Sequence, residues 1–480
     1  MNSQDMFNGV TDIRDDLIDG AKEAPKRQKH GTKKRWLGAV AAVLAAAILA
    51  GIFLRPGGAL TAYAVAEAKY PKMAPYPSGI FLYSDAAFDA WRESVNAQRR
   101  DLGDTSSLQT FFARSAQTFL TGDGGRNRVY SPLNIYMALS MLAQLTGGES
   151  REQILALLGS DNMDSLRRQA SDVWNSNYRD DGVLTSILAS SLWLNRDVKF
   201  NRDTMDTLAR DFYASSYRGE MGSAGFNKAL QSWLNQQTGG LLQEQAGNIG
   251  LDHKTILALA ATVYFKAKWN SEFSKEDTVP ETFHAPDGDI EADFMHQRRS
   301  QAYYWGEKFA AVSQAFDMAN GSMWFLLPDE GVTPEELLSD GEAMDFLFTD
   351  DRSEWENQKV LFVNKSIPKF DISSQFELDD GLKALGITDV FDPTLSNFTP
   401  MTTNVKEPII LTQASHAARV VIDEEGCTAA AFTVMALGGA APEPSAGEVD
   451  FVLDRPFIFC ITGESGLPLF VGIVNYPVGK

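Results

Sequence analysis

The sequence predicts an α+β fold built mainly on antiparallel sheets. Apolar residues recur at helical spacing through the first half of the chain, as in Phe111, Phe112, Ala116 and Phe119. The second half turns to short alternating runs such as Val360, Phe362, Asn364 and Ser366, the two-residue period of a half-buried strand. Neither an internal repeat nor a regular strand–helix alternation appears, so helices and strands segregate within one large domain. The 480 residues, 44% of them hydrophobic, suffice for a sizeable core.

Taken in order, residues 1–35 form a tail whose second part is basic (Lys22, Lys26, Arg27, Lys29, Lys33, Lys34, Arg35). Residues 36–54 then run nineteen positions without a charge. At about 1.5 Å per residue such a helix just crosses a hydrocarbon core. The basic flank places the tail in the cytoplasm and the rest outside. The competing reading is a cleaved secretory signal, with small-residue sites at Ala62-Tyr63-Ala64 and Ala64-Val65-Ala66. No cysteine follows the run, which excludes a bacterial lipoprotein anchor. Residues 55–105 are expected as an extracytoplasmic linker or stalk, extended over the prolines of 70–77. Within it Phe88, Trp91 and Val95 have helical spacing, which marks a docked helix or part of a stalk.

The globular pattern covers 106–480. Helices are expected around 111–119, 133–145, 150–158 (Ser150 as N-cap), 226–240 and 377–385. Strands are expected at 182–194, 283–314, 322–328, 358–370, 410–423, 449–460 and 469–474, and 255–269 is a long apolar run. The stretch 424–455 fits neither class throughout. Its first half is small and apolar and suits a strand. Gly438, Gly439, Pro442, Pro444 and Gly447 exclude one from its second half. A loop of this length is functional or disordered.

A net charge of −20 argues against nucleic acid, which needs Lys/Arg surfaces. The two cysteines, Cys427 and Cys460, give neither metal spacing nor a disulfide framework, although one bridge between them is possible. No cofactor is expected. Five histidines and scattered carboxylate pairs form no nucleophile–base, metal or phosphate motif, so an enzyme is disfavoured.

An ordered set of motifs nevertheless stands out. Asn127-x-x-x-Ser131-Pro132 leads into Ala138-Leu-Ser-Met-Leu, then Gly147-Gly-Glu-Ser-x-x-Gln-Ile. Further on come Thr238-Gly-Gly, Tyr264-Phe-Lys-Ala-Lys-Trp269-x-x-x-Phe273, Thr282-Phe283 and Leu327-Pro-Asp-Glu-Gly. Ile367-Pro-Lys-Phe370, Leu385-Gly-Ile387, Phe391, Ala414-x-His416-x-Ala418, Leu453-Asp-Arg-Pro-Phe-Ile-Phe-Cys-Ile and Phe470-x-Gly-x-Val-x-x-Pro477 complete it. Over 106–480 the chain therefore resembles the serpin family. The resemblance implies three β-sheets, about nine helices and an exposed reactive-centre loop. It also implies a monomeric suicide substrate that traps a serine protease as a covalent acyl-enzyme when the cut loop inserts into the main sheet.

Carried over residue by residue, the loop hinge falls on Glu424, Glu425, Gly426, Cys427, Thr428, Ala429, Ala430 and Ala431. Cys427 departs from the usual Thr or Ser, and its oxidation is expected to slow insertion. Cys427, Ala429, Ala431, Thr433 and Met435 would face inward. Counting from the hinge puts the reactive bond at Ala440–Ala441; counting back from Phe451 puts it near Glu443–Pro444. The hinge count is preferred, because the sheet fixes the inserted length and a bond before Pro is poorly cut. A small residue before the bond suits elastase-like or subtilisin-like enzymes. Asn127, Ser131, Pro132, Asn134, His416, Trp269 and Lys369 match the residues that let the sheet part, with Lys369 positioned to pair with Glu424. Asn134 stands where the family often has Ser, and Gln231 where it often has Asn. The whole reading is an inhibitor on a bacterial cell surface. The alternatives are a non-inhibitory binding module and a sensor that reports loop cleavage through the span.

Overall fold

A computed structural model describes residue 60, residues 63–77 and residues 86–478, apart from 123, 320, 350, 403, 406, 413 and 428–446. The expected span at 36–54, the tail and the bond Ala440–Ala441 lie outside the described residues. Among the described residues no helix is long and apolar enough to cross a membrane.

The helices are α1 (Ala86–Asn96), α2 (Ser106–Leu120), α3 (Pro132–Leu145), α4 (Gly148–Leu158), α5 (Met163–Asn177), α6 (Arg202–Asp211), α7 (Ala224–Gln237), α8 (Gln243–Gly247), α9 (Pro334–Leu337), α10 (Gly341–Phe348) and α11 (Asp379–Ala384). The best shielded is α3. Ser131 caps it, Pro132 occupies its first turn, where the missing N–H does no harm, and nearly every side chain is buried.

The strands begin with β1 (Ala64–Ala66), β2 (Arg128–Tyr130), β3 (Arg179–Asp180), β4 (Thr185–Asn195), β5 (Ala214–Gly219) and β6 (Leu257–Lys268). They continue with β7 (Thr278–Ala285), β8 (Gly288–Trp305), β9 (Phe309–Ala315), β10 (Ser322–Pro328), β11 (Gln358–Pro368) and β12 (Phe370–Glu377). The last are β13 (Ser415–Ile422), β14 (Gly426–Cys427), β15 (Glu448–Val452), β16 (Phe457–Thr462) and β17 (Pro468–Val474).

One sheet has the order β1-β5-β4-β6-β14-β13-β12, with β3 on β4. The other runs β15-β11-β8-β9-β10-β16-β17-β2, with β7 on β8. Among the described residues β8 and β9 pair only at Tyr304↔Ala311 and Trp305↔Ala310, so a narrow junction joins two parts of this second network. The α+β class agrees with the sequence reading; the three expected sheets appear as two hydrogen-bonded networks, the second narrowed between β8 and β9, and eleven helices are described where about nine were expected.

Several boundaries moved. Helix α4 begins at Gly148 with Gly147 as its N-cap, so Ser150 is not the cap. Ser150 is instead buried, and its Oγ accepts the Asn397 N–H across to another segment. Strand β13 starts five residues later than expected, because Ala414 and Leu411 bond the 378 and 390 turns rather than a strand neighbour.

Part of the segment 55–105 is built into the domain. Strand β1 pairs with the edge strand β5, and Leu60 is buried in the core. Tyr70 packs against Trp174, Tyr178 and Tyr213. Helix α1 is the docked alternative: Trp91 Nε1 donates to Asp181 Oδ2 at 2.9 Å, and Arg179 pairs with the same carboxylate at 2.8 Å. Cleavage at either small-residue site would separate or remove β1 from its pairing with β5.

Trp91→Ala is expected to lower unfolding stability by about 3 kcal/mol, the range for emptying a buried aromatic site. It should also expose the α1 amides to hydrogen exchange. An unchanged urea midpoint with unchanged exchange would show that α1 is peripheral.

Candidate functional site at the root of the loop

The chain leaves β13 at Ile422, turns through Asp423, Glu424 and Glu425, and enters β14, which lies between β6 and β13. Asp423 shapes the turn: its Oδ1 accepts from Glu425 N at 2.9 Å and Gly426 N at 3.1 Å. Three donors from the segment after β6 then hold three successive turn carbonyls. Trp269 Nε1 bonds Asp423 O at 2.8 Å, Phe273 N bonds Glu424 O at 2.9 Å, and Trp269 N bonds Glu425 O at 3.1 Å. The Trp269 ring stacks on Phe316, 5.1 Å between centroids, which fixes its donor.

Glu424 is 6% exposed and pairs with Lys369 at 3.1 Å. Burial works against the charged carboxylate, but a backbone hydrogen bond, the Lys369 ammonium and the Thr278 hydroxyl outweigh it, holding the group below the usual carboxylate range. Glu425 pairs with Lys275 at 2.6 Å on the exposed side. Gly426 pairs with Lys268 and Cys427 with Ala267. A Cβ at Gly426 would fall 2.3 Å from the Ala267 carbonyl oxygen, so close backbone approach sets the requirement for glycine here. Cys427 and Cys460 are both buried and no disulfide joins them. Residues Thr428, Ala429, Ala430 and Ala431 lie outside the described residues.

Beyond Cys427 the two flanking strands part. Among the described residues no ladder joins β6 to β13; each reaches the other only through β14. Between them lies a cleft lined by Thr262 and Tyr264 of β6, Ala418 and Val420 of β13, Cys427 above, and Ser131, Asn134, Ile461 and Phe470 beneath. The buried Thr262 hydroxyl has no hydrogen-bond partner among the described residues.

The N-terminus of α3 touches both walls. Ser131 N–H donates to His416 Nε2 on β13 at 3.1 Å, and Asn134 Nδ2 donates to Ala261 O on β6 at 3.0 Å. Ser131 Oγ caps the same turn through Asn134 N, and Pro132 follows it. His416 is wholly enclosed against Tyr130 and Phe376, and burial pushes its pKa down to about 4. Its Nε2 must therefore be unprotonated to accept. Asn127 lies elsewhere: it holds Asn475 N and Tyr476 N on its Oδ1 and gives Nδ2 to Tyr476 O. Gln231 bonds the Gly247 and Ile249 carbonyls and does not reach the cleft.

Sequence reasoning named Asn134 without its contact and passed over Lys365. Asn134 bonds β6 directly, a contact invisible without knowing that α3 lies beneath that strand. Lys365 on β11 is buried, bonds Gln314 Oε1 and lies 5.9 Å from the Phe273 ring centre. Burial, aided by Arg299, pushes its pKa down to about 7. The signal was present: in an alternating strand Lys365 shares the inward face of Val363 and Ile367.

A family model described as serpin (serine protease inhibitor) matches residues 106–477. The chain is 30% identical to serpin-ZX of Arabidopsis thaliana over 370 residues, covering 73% of this chain and 92% of that protein. It is 27% identical to an uncharacterised serpin-like protein of Thermococcus kodakarensis, covering 74% of this chain and 82% of that protein. Among solved structures, the thermophilic serpin tengpin in its native state aligns with a TM-score of 0.68 at 22% identity, covering 79% of this chain and 96% of the other. Arabidopsis AtSerpin1 in its native stressed conformation gives 0.67 at 25%, covering 79% and 99%.

The His416 contact makes stability pH-dependent. The unfolded imidazole titrates near 6.5, whereas the folded one resists protonation until about pH 4. Between those values the unfolded chain binds a proton that the folded chain refuses. Stability is thus full above pH 6.5 and falls on acidification by about 3 kcal/mol. His416→Gln should flatten this part of the profile in urea titrations at stepped pH. Parallel profiles for the two proteins would remove His416 as the cause.

Proposed function

Because the chain belongs to the serpin family, we propose that it is a suicide-substrate inhibitor of serine proteases. It offers Ala440–Ala441 as bait to an elastase-like or subtilisin-like enzyme. The protease serine attacks the Ala440 carbonyl, the peptide bond to Ala441 breaks, and the acyl-enzyme forms. The freed loop then zips into the main sheet before water can complete hydrolysis, drawing the enzyme along and distorting it.

One observation carries this reading: the root of the loop is already a strand, seated between two strands that do not pair with each other among the described residues. Continued residue by residue from Cys427↔Ala267, the loop would bring Leu437 opposite Leu257, the far end of β6. Ala440 would then lie just past the strand, which favours the hinge count over the count from Phe451. Cys427 is already buried in the core, as its inward assignment requires. The inward residues after it, Ala429 and Ala431, bury no unpaired charge.

In this reading the hinge runs from Glu424 to Ala431, and Ser131, Pro132, Asn134, His416, Trp269 and Lys369 govern its entry. Asn127 acts at one remove, through the C-terminal strand. The chain works as a monomer on a bacterial surface, with 36–54 as a single-pass anchor, 1–35 as its cytoplasmic tail and 106–480 outside. A net charge of −20 keeps nucleic acid away.

The test is incubation with an elastase-like protease followed by a denaturing gel. A protease-sized upward shift of the band, together with a higher unfolding temperature after cleavage, is expected. Clean cleavage with neither change would favour a binding module or a cleavage sensor. Ala429→Glu should keep the cleavage rate and cut the yield of covalent complex at least ~10-fold, because insertion would bury an unpaired carboxylate. An unchanged yield would mean that the loop does not enter the sheet at this position.

A further inference from the structure

Lys365 lies beneath the segment that holds the loop root and is 2% exposed. In its strand it stands directly opposite Gln297 of β8 on one side and Phe451 of β15 on the other. Residues placed opposite each other share a face of the sheet, with Cβ atoms about 5 Å apart.

Two side-chain amides connect this amine to residues 271–273. Gln314 of β9 accepts from Lys365 Nζ on its Oε1, and its Nε2 donates to Ser271 O at 2.9 Å. Gln297 Nε2 donates to the same carbonyl at 3.2 Å, to Ser271 Oγ at 3.4 Å and to Glu272 O at 3.4 Å. The next residue, Phe273, gives its N–H to Glu424 O, and its ring centre lies 5.9 Å from Lys365 Nζ. Gln297 Oε1 is buried and has no hydrogen-bond partner among the described residues. Turning that amide over would not relieve it, because oxygen would then face the two carbonyl oxygens.

The charge on Lys365 decides the fate of this oxygen. A neutral amine is served by Gln314. An ammonium has three donors, and burying it with a single acceptor is costly. The unused acceptor opposite it is Gln297 Oε1. Reaching that oxygen turns the Gln297 amide toward Lys365 and takes Nε2 off Ser271 and Glu272. Neighbouring charges do not remove the need. Arg299, on the face of β8 that carries Gln297, opposes the ammonium. Glu448 and Asp450 of β15 bond Asn364 on the other face, as His296 of β8 bonds Ser366. Glu272 pairs with Lys268, Glu424 pairs with Lys369, and Asp317 Oδ1 accepts from Met318 N.

We propose that Lys365 is a positioning residue whose protonation loosens the grip on the loop root. The neutral amine leaves Gln297 holding Ser271 and Glu272. The ammonium draws Gln297 away, and Trp269 and Phe273 then hold the carbonyls of residues 423–425 less firmly. The device belongs to the loop root and operates on the uncut chain. An ordinary lysine amine titrates near 10.5, whereas burial brings Lys365 down to about 7. Between those values an opened chain takes up a proton that the closed one refuses. The grip therefore strengthens as pH rises from about 7 and is weakest below it. From pH 7 to pH 9 the opening equilibrium changes by up to ~50-fold where opening releases the amine to water. His416 titrates below this window.

The experiment follows hydrogen exchange of the full chain in mild detergent, by mass spectrometry of peptides covering Trp269–Phe273. Rates are divided by those of unstructured peptides at each pH. Protection of this segment should rise at least ~10-fold from pH 7 to pH 9. Lys365→Met, uncharged and of similar length, should hold it constant within ~2-fold. Gln297→Met keeps the amine, removes the oxygen it recruits, and should also flatten the profile. A natural chain without the rise, or an equal rise in Lys365→Met, would overturn the proposal. An undiminished rise in Gln297→Met would overturn it as well, and that variant decides alone if Lys365→Met does not fold.

Discussion

The first turn of α3 is the fastening on which the main sheet depends. It sends a backbone N–H to His416 on one wall of the cleft and a side-chain amide to Ala261 on the other. Among the described residues these two bonds span strands that otherwise meet only through the two-residue β14. Each is worth about 1 kcal/mol net, but leaving its buried partner unsatisfied costs more. The cleft is thus held by groups that are expensive to orphan, and it opens only where something else satisfies them. A backbone arriving between β6 and β13 is such a replacement.

The hinge follows the same logic at the other end of the lane. Trp269 and Phe273 hold the carbonyls of residues 423–425, and Lys369 neutralises the buried Glu424. The turn is therefore already committed to the sheet. Because Lys369 is about one-third exposed, the ion pair acts more as a guide for register than as a large store of stability. Lys365 below it adds a second cation in a poorly solvated place, with the Gln314 amide oxygen as its acceptor.

Where periodicity is strong and local, the fold could be read directly. The run 322–328 became β10 with both ends in place, and the apolar helix near 133–145 became α3. Elements built from polar residues escaped. In α5 and α6 charged side chains hide the apolar stripe, and the clearest signals are the capping Asn162 and Asn201. Strand β5 is rich in serine, and Ser216 is wholly buried, so its composition imitates a loop. Strand β1 resembled a protease-processing site because Ala-Val-Ala suits both a cleavage pocket and a narrow sheet edge. At the site, Trp269, Lys369 and His416 were legible from the motifs that contain them. The Asn134 contact and the displacement of Asn127 were not, because both depend on which strand lies over α3.

Strand β15 has a consequence of its own. It runs parallel to β11 over five residue pairs, and Glu448 is held by Arg298 and Asn364. The chain between Cys427 and β15 is consequently tied at both ends, close to the same edge of the molecule. If ten of its residues went down the cleft, the remaining ten, reaching at most about 35 Å, would have to return the full height of the sheet. An intact loop would therefore reach that depth only at full stretch, with almost no length left for the turn at the foot of the sheet. The anchoring of β15 on β11 thus sets how far an unbroken chain reaches down the cleft.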